Sequence, residues 1–284
     1  MATRSDVILL GEASDSPVRP RSRNRGRLGR FVLVGVALFT FAFLYVPIFV
    51  LMFFSFNQAR TGSQWTGFTL EWYGRMLENE RLIEALGNSL VIAGTSTLLA
   101  VILGTLLAMA MERYQFRGKA VWDGLLYMPV IIPEIVAGVS LLLFFATAQF
   151  ERGFPTLLIA HVSFTTPFVY LTVRARLADF DRSVEEAAMD LGANELTTFF
   201  RITLPIIMPG VVSGGLLAFT LSMDDFIISN FVRGVGWETL PVYVWPQLKR
   251  SVSPEINAAS TMLLGFSICI VVLSLLLQRK QTTS

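Results

Sequence analysis

One cysteine, one histidine and three lysines are all that this 284-residue chain holds of three residue types on which much protein chemistry depends. The lone Cys269 excludes both a disulfide framework and a thiolate metal cluster, and reads as a small apolar packing residue. His161 has no second histidine or cysteine to complete a metal site, so it reads as a hydrogen-bonded packing residue. None of Lys119, Lys249 and Lys280 follows the Gly-x-x-x-x-Gly spacing of a phosphate-cradling loop, so the chain lacks the usual means of holding a nucleotide. No Ser–His–Asp arrangement is persuasive. Charged residues are only 15% of the chain, against about 25% in soluble proteins. A net charge of +2 is too small to argue for nucleic acid.

What fills the chain is apolar. Residues of that kind make up 53% of it, more surface than one soluble core of this size can hide. A hydrocarbon layer is crossed by about 20 apolar residues in a helix. Six stretches qualify, at roughly 31–56, 88–111, 121–147, 156–176, 210–230 and 257–277. None reads as a removable signal peptide, because the first run is too long for one.

Basic residues fix the expected orientation. Sixteen of the 23 fall in the N-terminal thirty residues, around Arg113–Lys119, in the Arg174–Arg201 region and at Arg279 and Lys280. The other seven, among them Arg81, Arg152 and Arg233, fall in the alternate loops. Both termini are therefore expected in the cytoplasm. Residues 1–30 read as a disordered basic arm, 31–278 as the membrane domain and 279–284 as a cytoplasmic tail. The outer loop 57–87 is expected to carry a short interfacial helix near Trp72–Leu77, since Trp65, Trp72 and Tyr73 suit the headgroup layer. Gly104, Gly138, Gly214, Gly215 and Gly265 read as close helix-packing positions.

The cytoplasmic loop 181–209 reads as two short helices. Ser183 with Glu186 three residues on makes a capping box, and Gly192 is placed to end that helix in a left-handed conformation. Asn194 caps a second helix, from Glu195 to about Ile202, which Pro205 and Pro209 separate from the fifth span. On these grounds the hairpin is either a well-capped connector or a surface made to be gripped.

Glu186-Ala187-Ala188, then Gly192, then Ile202, Leu204 and Pro205 at their fixed spacing, resemble the EAA motif of type I importers of the ATP-binding-cassette (ABC) class. The resemblance implies an all-α polytopic membrane protein with six transmembrane helices, and a coupling helix that docks on a cytoplasmic ATPase through Glu186, Ala187, Ala188 and Gly192. It implies no enzyme activity in this chain, with ATP and magnesium held by two separate ATPase subunits. A homologous second permease, an extracytoplasmic binding protein and the lipid bilayer complete the expected partners.

Carboxylates at membrane depth are expensive enough to mark functional positions. Glu134 follows Pro129 and Pro133 in the third span, and Asp224 and Asp225 lie in the fifth. Each acidic position is roughly 20 Å from the cytoplasmic start of its span. With Phe226, Phe144, Phe145 and Tyr170 they suit a cationic, partly apolar cargo; the competing reading is a structural role. Adjacent helical positions point about 100° apart, so at most one of Asp224 and Asp225 is expected to face a pathway. The stretches at 45–57, 113–119, 216–234, 240–241 and 253–258 resemble permeases for putrescine and spermidine, most of all the second permease of such a system. The likeness runs from about residue 30 to 278. Another cargo, such as an opine, a metal ion or an oxyanion, and an ion-coupled secondary transporter are the alternatives; the acidic residues disfavour an anion.

Overall fold

The computed structural model describes residues 23–59, 64–250, 254–265 and 268. The basic arm through residue 22, most of the last expected span with Cys269, and the tail lie outside the described residues. Among those described there are helices and no strand, only a single antiparallel bridge between Asn57 and Phe68.

The chain forms two compact units, one ending at Phe53 and one starting at Phe54. The first consists, in its described part, of α1 (Arg23–Phe54) up to Phe53. It begins inside the expected arm, because arginine is a good helix former and extends the apolar helix N-terminally. Many of its large apolar side chains, among them Phe31, Phe39 and Phe53, are exposed, the pattern of a helix solvated by lipid.

The second unit is built on three long helices: α3 (Glu80–Arg113), α6 (Phe154–Ala178) and α9 (Leu204–Asp224). α3 is preceded by the amphipathic α2 (Glu71–Glu78), the interfacial helix expected from the aromatic residues. α2 is held by the Trp72 indole, which donates to the Asn57 carbonyl at 2.7 Å. Asn79 caps α3 by accepting from the Leu82 amide. A core of Ala100, Ala108 and Met111 from α3, Val169, Tyr170 and Val173 from α6, and Ile207 and Val211 from α9 joins the three. The three helices pack on one another pairwise, and small residues let them come close. A Cβ on Gly104 would stand 2.7 Å from the Val169 side chain, and one on Gly214 would stand 3.2 Å from the Val169 backbone. A Cβ on Gly265 would meet nothing within 4 Å among the described residues.

Two expected spans are broken. The third consists of α4 (Lys119–Ile131) and α5 (Glu134–Thr147), bent by 106° at Ile132–Pro133. Pro133 has no amide to donate and forces Ile132 into an extended conformation (ψ 131°), so the helix cannot continue. The fifth ends at Asp224; an extended Asp225 leads to a separate helix, α10 (Ile227–Val232). Asp224 and Asp225 are therefore not successive positions of one helix, which corrects the angular argument made for them. Four helices are long and apolar enough to cross a membrane, or five counting the bent pair, among the described residues. A further helix, α11 (Leu240–Arg250), leads to α12 (254–265), the start of the sixth expected span.

Gly104→Ala is expected to destabilise the purified protein by about 1–3 kcal/mol, because Val169 cannot withdraw from a packed interface. Gly265→Ala is expected to leave the melting temperature unchanged or raise it. Thermal unfolding in detergent checks both.

Candidate functional site

The hairpin begins with α7 (Ser183–Asp190). The expected capping box is absent, because Ser183 is already inside the helix and its amide donates to Asp181 Oδ1 at 2.9 Å. This amide, followed by the Ser183 hydroxyl, holds the Asp181 carboxyl below the usual carboxylate range. The interaction is thus present at neutral pH and is lost only as pH falls through that lowered value. Gly192 ends the helix with φ +91°, the left-handed conformation foreseen for it. Asn194 caps α8 (Glu195–Thr198), accepting from the Thr197 amide at 2.8 Å.

The second helix does not stop at the prolines. α8 runs through a π turn, Phe199–Thr203, directly into α9, where Pro205 occupies the first turn and Pro209 lies inside. A proline ring collides with the carbonyl one turn back and leaves it without a donor. The π turn widens the helix there, and the Leu204 amide reaches the Phe199 carbonyl five residues back. The hairpin is thereby welded to α9 rather than hinged from it.

Two adjacent glutamates of α7 have opposite surroundings. Glu185 is buried, and Arg113, at the end of α3, and the Thr203 hydroxyl, in the π turn, both donate to its carboxylate. Glu186 and Ala187 are exposed and Ala188 is half-buried. Around them Val184, Met189, Leu191, Leu196 and Phe200 present uncovered apolar side chains, with Leu191 90% exposed. Such a patch on a rigid support is the signature of a docking surface. Ile202 and Leu204 are half-buried and Pro205 exposed, so this part of the motif shapes the join to α9. The motif directed attention to Glu186. The glutamate that fixes the helix is its neighbour, and nothing in the local sequence pairs Glu185 with an arginine 72 residues earlier.

The intramembrane carboxylates are separated by their environments. Glu134 is exposed in the first turn of α5, directly after the bend. Asp224 is exposed at the end of α9. Asp225 is buried and accepts from the amides of Ile228 at 3.1 Å and Ser229 at 2.7 Å, so it caps α10. His161, fully buried, places its ring nitrogens 2.7 Å from the Ser222 hydroxyl and 2.9 Å from that of Ser229, which lie on either side of the break. The Phe226 ring packs on Trp245 with centroids 5.0 Å apart. No hydrogen bond or ion pair joins Glu134 to Asp224 among the described residues. Tyr170 and Phe145 are not open to this region: both are fully buried, and the Tyr170 hydroxyl donates to Asp123 at 2.5 Å while its ring faces Arg174.

Comparison with known proteins places these features in context. Residues 100–282 match the family described as "Binding-protein-dependent transport system inner membrane component". The chain is 44% identical over 254 residues to the spermidine/putrescine transport system permease protein PotC of Haemophilus influenzae, covering 89% of this chain and 99% of that one. It is 43% identical over 255 residues to PotC of Escherichia coli K12, covering 90% and 97%. The putrescine transport system permease protein PotI of the same organism is 43% identical over 237 residues, covering 81% and 84%. Among solved structures, a bacterial ABC transporter that imports the acidic polysaccharide alginate aligns with TM-score 0.68 at 18% identity, over 91% of this chain and 98% of that one. An amino acid ABC transporter aligns with TM-score 0.54 at 17% identity, over 74% and 99%. At those identities the likeness speaks for the fold.

Glu185→Gln is expected to loosen α7 by about 3 kcal/mol, since it breaks a largely buried ion pair. Hydrogen exchange of the α7 amides should rise accordingly, whereas Glu186→Gln should leave it unchanged.

Proposed function

Because the chain belongs to the family of binding-protein-dependent transport system inner membrane components, we propose that it is a membrane-spanning permease subunit of an ATP-driven polyamine importer, with putrescine or spermidine as cargo. The observation that carries the coupling part of this reading is the hairpin. Its outer face is apolar and unpartnered, its Glu186 is free to pair with a basic group, and its base is fixed to α3 and α9.

In this reading the hairpin is cytoplasmic, both termini are on that side of the bacterial inner membrane, and Glu186, Ala187, Ala188 and Gly192 seat an ATPase subunit. Two such subunits bind ATP and magnesium and close on each other. A second, homologous permease supplies the other half of the path, and an extracytoplasmic binding protein delivers cargo. Closure pulls on a hairpin that cannot flex at its junction with α9, so the motion passes into the helix ending at Asp224. The path thereby alternates between outward- and inward-facing states, which requires contacts that differ between the two.

Asp224, Glu134 and Phe226 are the candidate path residues. Exposed carboxylates at membrane depth attract an ammonium group, and aromatic faces accept its alkyl chain and charge. Asp225, whose carboxylate is taken up by backbone amides, acts on the path by fixing the break beside Asp224.

Glu186→Lys is expected to abolish ATP-dependent uptake while the permease pair still co-purifies; normal uptake would overturn the coupling role. Asp224→Asn is expected to reduce polyamine uptake about ten-fold with ATPase docking intact, the scale of one lost charge pairing. Wild-type uptake after the ATPase subunit is omitted would identify a secondary transporter instead.

A further inference from the structure

The one histidine of the chain sits where the fifth span breaks. His161 lies on α6 with its side chain wholly buried. Its Nδ1 is 2.7 Å from the Ser222 hydroxyl, in the last turn of α9. Its Nε2 is 2.9 Å from the Ser229 hydroxyl, in the first turn of α10. Asp225 Oδ2 stands 3.6 Å from the same Nε2, and the Phe164 ring packs beside the imidazole with centroids 5.3 Å apart. An imidazole with one ring proton donates from one nitrogen and accepts at the other, so it serves two hydroxyls that approach it from opposite sides. The Ser222 hydroxyl is also 3.2 Å from that of Ser96 on α3, which ties the end of α9 to both of its neighbours.

These contacts divide the work at the break. The Asp225 carboxylate is taken up by the amides of Ile228 and Ser229, both on its own side, so it caps α10 without reaching α9. The far end of α10 is anchored to α6 by Thr156, which donates to the Val232 carbonyl at 2.9 Å. His161 spans what is left, the junction between the two helices. Packing alone does not call for this ring. A buried imidazole costs free energy unless its nitrogens are hydrogen-bonded, and an apolar side chain would fill the place without that cost. What the ring adds is a bridge of fixed length across the gap. Successive helical residues are about 100° apart, so Asp224, two positions after Ser222, points about 200° away from it. Ser222 is buried against α3 and α6, and Asp224 is thereby turned outward, where it is exposed.

We infer that His161 is a positioning residue of the cargo path: it sets α9 and α10 relative to each other and so holds the Asp224 carboxylate where a cationic cargo meets it, a role that rests on the reading of Asp224 as a path residue. His161 acts through Asp224 and not on the cargo. Without the bridge the last turn of α9 is free to rotate, and a displacement of about 1 Å is enough to weaken an oriented contact.

The test uses the complete importer, with its ATPase and binding protein, in proteoliposomes, and reads the spermidine moved per ATP hydrolysed. A variant that is merely less folded loses uptake and hydrolysis together and leaves this ratio unchanged. His161→Leu fills the space and frees both serine hydroxyls to bond carbonyls of their own helices. It is expected to lower the ratio about five-fold. Asp224→Asn is expected to lower it about ten-fold. With Asp224 already replaced, His161→Leu is expected to lower it no further, because residues acting through one another are not additive. A wild-type ratio in His161→Leu, or the same loss with and without Asp224, overturns the positioning role and leaves Asp224 in the path. A wild-type ratio in Asp224→Asn overturns the path reading, and the positioning role with it. Should His161→Leu fail to assemble, Ser229→Ala removes one end of the bridge and is read by the same criteria in both backgrounds.

Discussion

A backbone amide or carbonyl in hydrocarbon has no water to turn to, and this requirement governs where the helices of this chain run and where they stop. Each departure from a straight helix comes with a local substitute. At the end of α9 the Asp225 carboxylate takes the amides of Ile228 and Ser229. At the entry to α9 the π turn recruits a carbonyl five residues back. At Pro133 the missing donor is absorbed by ending one helix and starting another at 106°. The breaks are few, specified, and placed beside acidic residues. A helix that ends at membrane depth exposes polar backbone that a charged cargo can use.

The same requirement makes α3 notable for what it lacks. It has no proline and runs for 34 residues, about 50 Å of unbroken helix. One end carries Arg113, which grips Glu185 of the hairpin. The other carries Arg81, Glu84 and Asn88, which form one wall of a cavity of about 560 Å³. Between them Gly104 brings the helix against Val169 of α6. A packed rod of this kind moves as a body, so a force at the hairpin and a contact at the opposite end act on the same element.

Much of this was legible in the sequence. The long helices, the interfacial α2, the left-handed Gly192 and the Asn194 cap follow from periodicity, aromatic placement and turn chemistry. So does His161 as a hydrogen-bonded packing residue, although its partners do not. The misreadings share a cause. Hydropathy runs smoothly through the third and fifth spans, and a window average cannot register a bend at Ile132–Pro133 or a change of direction at Asp225. Pro205 and Pro209 look like separators because their local effect is to stop helices, yet the π turn accommodates the first and α9 carries the second. Glu185 was overlooked beside Glu186 because burial depends on which face meets Arg113, a relation between residues 72 positions apart.

The division of α7 into an inward and an outward glutamate has an evolutionary side. Holding the helix in place and choosing what binds it fall to different residues, although those residues are neighbours. The outward set, Val184, Glu186, Met189 and Leu191, touches little of the fold and is free to drift, while Glu185, Arg113 and Thr203 must change together or not at all. A hairpin built this way is an exchangeable cassette. Its outward residues can be exchanged for others and leave the membrane domain as it was.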